Sequence, residues 1–172
     1  RGLGDVYKRQ DLEDLIRYIV RASEGERSNQ NFSFLFKPNA IENDLQSSMF
    51  DCFRLASDKA SCYSKEGSGA DGGRVDIKFQ SDIATIPIEL KRTSKRITEA
   101  RVKKDYLAQA QTYTYNKDQL GIFVLLDLTK KEPSVPMQNL RDLNGVIHLD
   151  THHRVNDDHP DYIVWFVVVG NK

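Results

Sequence analysis

"GGRVDIKFQSDIATIPIELKR" (residues 72–92) sets one acid inside an apolar run, then an acid and a lysine inside the next. Both halves alternate apolar with polar residues, and alternation on a strand sends successive side chains to opposite faces. Val75, Ile77 and Phe79 therefore share one face, and Asp76, Lys78 and Gln80 the other. In the second half Ile86, Ile88 and Leu90 separate in the same way from Pro87, Glu89 and Lys91. An antiparallel hairpin turning near Asp82 and Ile83 joins Val75 to Leu90, Ile77 to Ile88 and Phe79 to Ile86, so three apolar pairs agree on one register. That register sets Asp76 opposite Glu89, where cross-strand Cβ atoms lie about 4.5–5.5 Å apart, with Lys91 next along the face. Like charges at that range repel. The pattern calls for a cation between the carboxylates, or for a wet face that tolerates the cost.

The remaining chain supplies a frame for this hairpin. At 172 residues and 39% hydrophobic, it suits one globular domain with a substantial core and shows neither a disordered nor a membrane-spanning composition. Cys52 and Cys62 fit no zinc spacing and nothing reads as a signal peptide, so a reducing cytoplasm is the expected setting. The formal net charge is zero and the pI about 7.1, so a nucleic-acid partner would have to be met by a local patch. "RGLGDVYKRQ" (residues 1–10) reads as a non-native leader and is set aside, which makes the chain the expected C-terminal piece of a longer protein, with further domains or subunits.

Residues 11–38 read as an N-terminal helix, over 11–24, followed by a loop, and residues 39–172 as the main domain. Pro38 and Asn39 cap a second helix running to about Ser57, with Ile41, Leu45, Met49, Phe50 and Phe53 on its buried side. A short strand over 59–66 and the glycine-rich "GSGADGG" (67–73) lead into the hairpin. "KRTSKRITEARVKK" (91–104) then enters a helix ending near Asn116. "LGIFVLLDL" (120–128) is unbroken and apolar, which suits a central strand covered on both faces. "GVIHLDTH" (145–152) and "DYIVWFVVVG" (161–170) predict two more strands, the latter bringing Trp165 and Phe166 to the core or to an interface. The fold class is α/β, a mixed central sheet flanked by helices.

An acid followed two residues later by lysine is common in any chain; its surroundings give it weight. "GGRVDIKF" followed by "IPIELKR" resembles the D-x(n)-E-x-K signature of the PD-(D/E)XK nucleases, in their RecB-like and restriction-endonuclease-like branch. Asp76, Glu89 and Lys91 carry the resemblance, and Val75 stands where the family usually has proline. It spans roughly residues 40–128 in the order helix, strand, acid strand, E-x-K strand, helix, strand. It implies an αβββαβ core with extra C-terminal strands. It also implies that Asp76 and Glu89 hold magnesium, with manganese as a substitute, while Lys91 positions or deprotonates a water and offsets phosphorane charge.

Further residues take roles from the same resemblance. Gln109 with Tyr113 matches the Q-x-x-x-Y motif of RecB-like nucleases and shares a helical face with Val102 and Tyr106. Gln111 and Tyr115 fit the same spacing on another side of the helix, and a core tyrosine beside a solvated glutamine is the bland alternative. Glu42 stands where many members carry a third acidic ligand, yet Asn39 and Glu42 also form a capping-box arrangement. Arg92, Lys95, Arg96 and Arg101 are placed to track a phosphate backbone, or else form a solvated helix start.

His148, Asp150 and His152 alternate on one strand, with His153 and His159 nearby, and offer a rival zinc or manganese site; exposed polar positions of a strand end are the simpler reading. The expected activity is metal-dependent hydrolysis of DNA phosphodiester bonds leaving a 5′-phosphate, within repair, restriction or phage defence, and with no membrane partner. The alternative is a catalytically inactive nucleic-acid-binding or scaffolding module. RNA as substrate, endo- against exonuclease action and oligomeric state are left open.

Overall fold

The alternating runs pair in the register that their apolar faces dictate. In the computed structural model, which describes residues 10–20, 39–56, 58–68, 74–106, 120–130, 132, 134, 145–148 and 162–169, β2 (Arg74–Gln80) lies antiparallel to β3 (Thr85–Thr93). Ile77 faces Ile88 and Phe79 faces Ile86. Their turn is held by Ser81, whose amide donates to the Ala84 carbonyl and whose Oγ accepts from the Ile83 and Ala84 amides. The ladder stops at Ile77 and Ile88, however, so the expected pairings of Val75 with Leu90 and Asp76 with Glu89 do not continue it. The cause is a side chain: Asp76 Oδ2 takes the Leu90 amide at 2.8 Å.

In chain order the described elements begin with α1 (residues 10–20) and α2 (Glu42–Ala56). A 3-10 turn at Ala60–Cys62 precedes β1 (Tyr63–Ser68), where a strand was expected from residue 59. After β2 and β3 come α3 (Glu99–Asp105), β4 (Leu120–Asp127), β5 (Gly145–His148) and β6 (Tyr162–Val169). One sheet joins the strands in the order β1-β2-β3-β4-β6-β5, with β4 parallel to both β3 and β6 and the other neighbours antiparallel. The unbroken apolar run of β4 explains its place: residues 121–127 are all buried, as a strand enclosed on both faces requires.

The two faces of the sheet differ. On one, Leu15 and Ile19 of α1 and Leu45, Met49 and Phe53 of α2 pack on Ile77, Phe79, Ile86, Ile88, Leu90, Ile122, Val124 and Leu126. The Phe53, Tyr63 and Phe79 rings follow one another at 5.2 and 5.1 Å. On the other face lie the alternate β4 residues Phe123 and Leu125, with Tyr106 stacked on Phe123 at 5.8 Å. Glu89 stands beside Phe123 in the parallel register, so it projects to this second face. One polar cluster ties the first face together: the buried Asp11 contacts the Lys59 ammonium and accepts from Ser81 Oγ at 2.8 Å.

The second helix begins differently from the expectation. The Ile41 carbonyl accepts from the Asp44 and Leu45 amides, and Asp44 Oδ2 accepts from the Ile41 amide. The reach-back of a capping box is therefore made by Asp44, not Glu42, and Ile41 lies outside the helix with 49% of its surface exposed instead of joining the core. Thr98 caps α3 by accepting from the Arg101 amide, and the helix closes on Tyr106; the expected continuation to Asn116 lies outside the described residues, as do residues 21–24. Thr98→Ala should lower stability by about 1 kcal/mol in a urea titration. No helix among the described residues is long and apolar enough to cross a membrane.

Candidate active site

The polar face of the hairpin opens at Asp76. The β1–β2 ladder keeps one register from Tyr63 and Phe79 to Ser68 and Arg74, on either side of Asp76, while the β2–β3 ladder runs from Gln80 and Thr85 to Ile77 and Ile88. The Gln46 amide of α2 donates to the Asp76 carbonyl at 2.7 Å. The Asp76 carboxylate crosses to β3 and accepts from the Leu90 amide. That contact brings it to the residue after Glu89.

Glu89 is 1% exposed. Lys91 Nζ lies 2.7 Å from Glu89 Oε1, a charge-assisted contact, while neither carboxylate oxygen has a well-aligned hydrogen bond from the described residues. Burial pushes the Glu89 carboxyl up to about 7; Lys91 pulls it down, and the charges of Asp76 and Glu42 push it up further. Burial alone would lower the Lys91 ammonium, yet its contact with Glu89 and the charges of Glu89, Glu42 and Asp76 outweigh that and raise it. Lys91 is therefore a cation at neutral pH. Glu42, exposed in the first turn of α2, is felt at both partners.

The arrangement is short of positive charge. Acids at positions 42, 76 and 89 act on one another across one ammonium, and a buried carboxylate lacks aligned donors. A hard divalent cation fits that deficit, since oxygen ligands are its preferred donors and one or two carboxylates suffice for magnesium. Among the described residues no three His, Cys, Asp or Glu side chains form a ready-made cage, so Glu42 is not drawn into a closed ligand set with Asp76 and Glu89.

The basic residues divide. Arg92 donates from its guanidinium to the Ala40 carbonyl at 2.9 Å, fastening the approach to α2 onto β3. Arg101 donates to the Arg96 carbonyl at 2.9 Å and pairs with Asp105 at 3.6 Å. Lys95 and Arg96 are exposed. Arg92→Ala should therefore cost about 1 kcal/mol of stability in a urea titration, whereas Lys95→Ala, at an exposed position, should leave stability unchanged.

Gln109, Tyr113, Gln111 and Tyr115 lie outside the described residues, as do Asp150, His152, His153 and His159; His148 falls on β5. The residue that sequence reasoning missed is Gln46. Its only signal there is its place one helical turn after Glu42. No protein-family model, curated protein or solved structure matches this chain.

Proposed function

We propose that the chain is a metal-dependent phosphodiesterase acting on DNA, of the PD-(D/E)XK type. The observation that carries this reading is the Glu89 carboxylate, buried without an aligned donor, in contact with Lys91 and one residue along from the amide that the Asp76 carboxylate grips. The order α2-β1-β2-β3-α3-β4 supports it, being the αβββαβ order of restriction-endonuclease-like cores.

Asp76 and Glu89 would hold magnesium or manganese, with Glu42 contributing charge from the helix start. When bound, such an ion would lower the pKa of a coordinated water and neutralise phosphate charge. The chain's own contribution is electrostatic. Lys91, kept protonated by the surrounding carboxylates, is suited to offset the negative charge that builds on the phosphorane, more than to remove a proton. Lys95 and Arg96 would track the backbone without reading sequence. Cleavage on the phosphate side that leaves a 5′-phosphate is the expected product, and Gln109 with Tyr113 would steady the site.

Conversion of supercoiled plasmid to nicked circles with magnesium, abolished by chelator, is the test. A second reading, an inactive nucleic-acid-binding module, is favoured by one feature: Asp76 and Glu89 already have contacts within the protein, from Leu90 and Lys91. It expects retention of DNA in a gel-shift assay with no nicking at any magnesium or manganese concentration.

A further inference from the structure

Tyr106 has no part in the chemistry above, yet it lies beside it: its ring stacks on Phe123 at 5.8 Å with 22° between the planes, and Phe123 pairs with Glu89 across the β3–β4 ladder. We propose that Tyr106 is a stacking platform for a base of the DNA substrate, so that the site takes single-stranded DNA in preference to duplex. The inference rests on the nuclease reading, since it gives that site its substrate class.

Three observations carry it. First, the ring is anchored. Val102 and Tyr106 lie four residues apart and share a face; Val102 is fully buried, and the Tyr106 amide donates to its carbonyl at 3.2 Å. Second, the ring is backed on one side and open elsewhere. Phe123 is fully buried and takes up one face of the Tyr106 ring, while Tyr106 itself is only half-buried, so the surface it leaves to solvent points away from Phe123. A rigid ring held in this way offers area to a further ring at little cost in ordering. Third, the ring stands next to the proposed chemistry. Glu89 and Lys91 pair with Phe123 and Leu125 along the same face of the sheet, so a base resting on Tyr106 and a phosphate at Lys91 belong to one short stretch of strand. Lys104, exposed in the last turn of α3, adds positive charge along the approach. Every base has a π-face, so such a platform reads no sequence. In a duplex, however, both faces of a base are covered by its neighbours, and only an unpaired strand offers one without the cost of unstacking. Negative supercoiling favours strand opening, so plasmid remains a substrate.

The test is fluorescence anisotropy of the full chain, in chelator and at one salt concentration, with labelled oligothymidine and with the same strand paired to oligoadenine. The wild type should bind the single strand at least about fivefold more tightly than the duplex, the smallest effect expected of one base stacked on an aromatic side chain. Tyr106→Leu should lose at least about fivefold in single-strand affinity and leave duplex affinity unchanged. Tyr106→Phe keeps the ring and should keep the preference. The ratio of the two affinities is not moved by a loss of stability alone. Should Tyr106→Leu not fold, Tyr106→Met, whose flexible side chain can still cover Phe123, gives the same readout. A wild type that binds both DNAs equally or neither, a preference that survives in the folded leucine or methionine variant, or one that is lost in Tyr106→Phe overturns the assignment of Tyr106, while magnesium-dependent nicking keeps the nuclease reading. Failure of the wild type to nick plasmid with magnesium overturns that reading, and with it the claim that the stacked base belongs to a substrate.

Discussion

Asp76→Asn is expected to lower magnesium-dependent plasmid nicking about 10³-fold, the effect of losing about 4 kcal/mol of charge stabilisation in the transition state, while the protein stays folded. Asparagine preserves the fold for a local reason. Its carbonyl oxygen can still accept from the Leu90 amide, the bond that Asp76 Oδ2 makes at 2.8 Å. Alanine would leave that amide without an acceptor and cost about 1–3 kcal/mol, confusing loss of charge with loss of structure. Lys91 is a less clean target, because its removal leaves the buried Glu89 carboxylate without its cation and raises that carboxyl further. Asp76→Asn with full nicking activity, checked by circular dichroism for a native fold, would contradict the proposed role.

The second large effect is on stability. The Glu89 carboxyl is raised from 4.5 to about 7, first by burial, so between those values the folded chain holds a proton that the unfolded chain releases. Folding stability must then fall as pH rises through that window, by about 3 kcal/mol if Glu89 acts alone. The contribution is fully present below pH 4.5 and lost above about pH 7. Lys91 does not disturb this window, because its raised ammonium titrates above its ordinary 10.5. Glu89→Gln keeps shape and removes the charge. In chelator it should match the wild type near pH 5 and exceed it by about 3 kcal/mol near pH 8, measured by urea unfolding. Identical pH profiles for the two proteins would show that the Glu89 carboxyl is not raised by burial in the folded chain.

Much of this was legible in the residues. The register of the hairpin followed from three apolar pairs, and Ile77 against Ile88 and Phe79 against Ile86 are as the alternation required. The enclosed position of β4 followed from a run with no polar face. What could not be read depends on side chains meeting backbone across long stretches of chain. Asp76 stands opposite Glu89 only if the ladder continues, and the ladder ends at Ile77 and Ile88, beyond which the Asp76 carboxylate takes the amide of Leu90. The Asp11, Lys59 and Ser81 cluster has no periodic signature, since it joins three separate segments. The basic run could not show that the Arg92 guanidinium also donates to the Ala40 carbonyl. Alternation reports which face a residue takes; it is silent on whether a charged group there meets solvent, ligand or main chain.

On the proposed reading Asp76 and Glu89 share one divalent ion beside Lys91. Thermal unfolding of the full chain near pH 8 with and without manganese tests it most directly, since an ion bound only by the folded state raises the midpoint. The wild type should gain several degrees at a concentration about a hundred times the dissociation constant, and Asp76→Asn and Glu89→Gln should each lose the gain. A wild-type midpoint that manganese does not move, or a gain that survives both substitutions, would contradict the account.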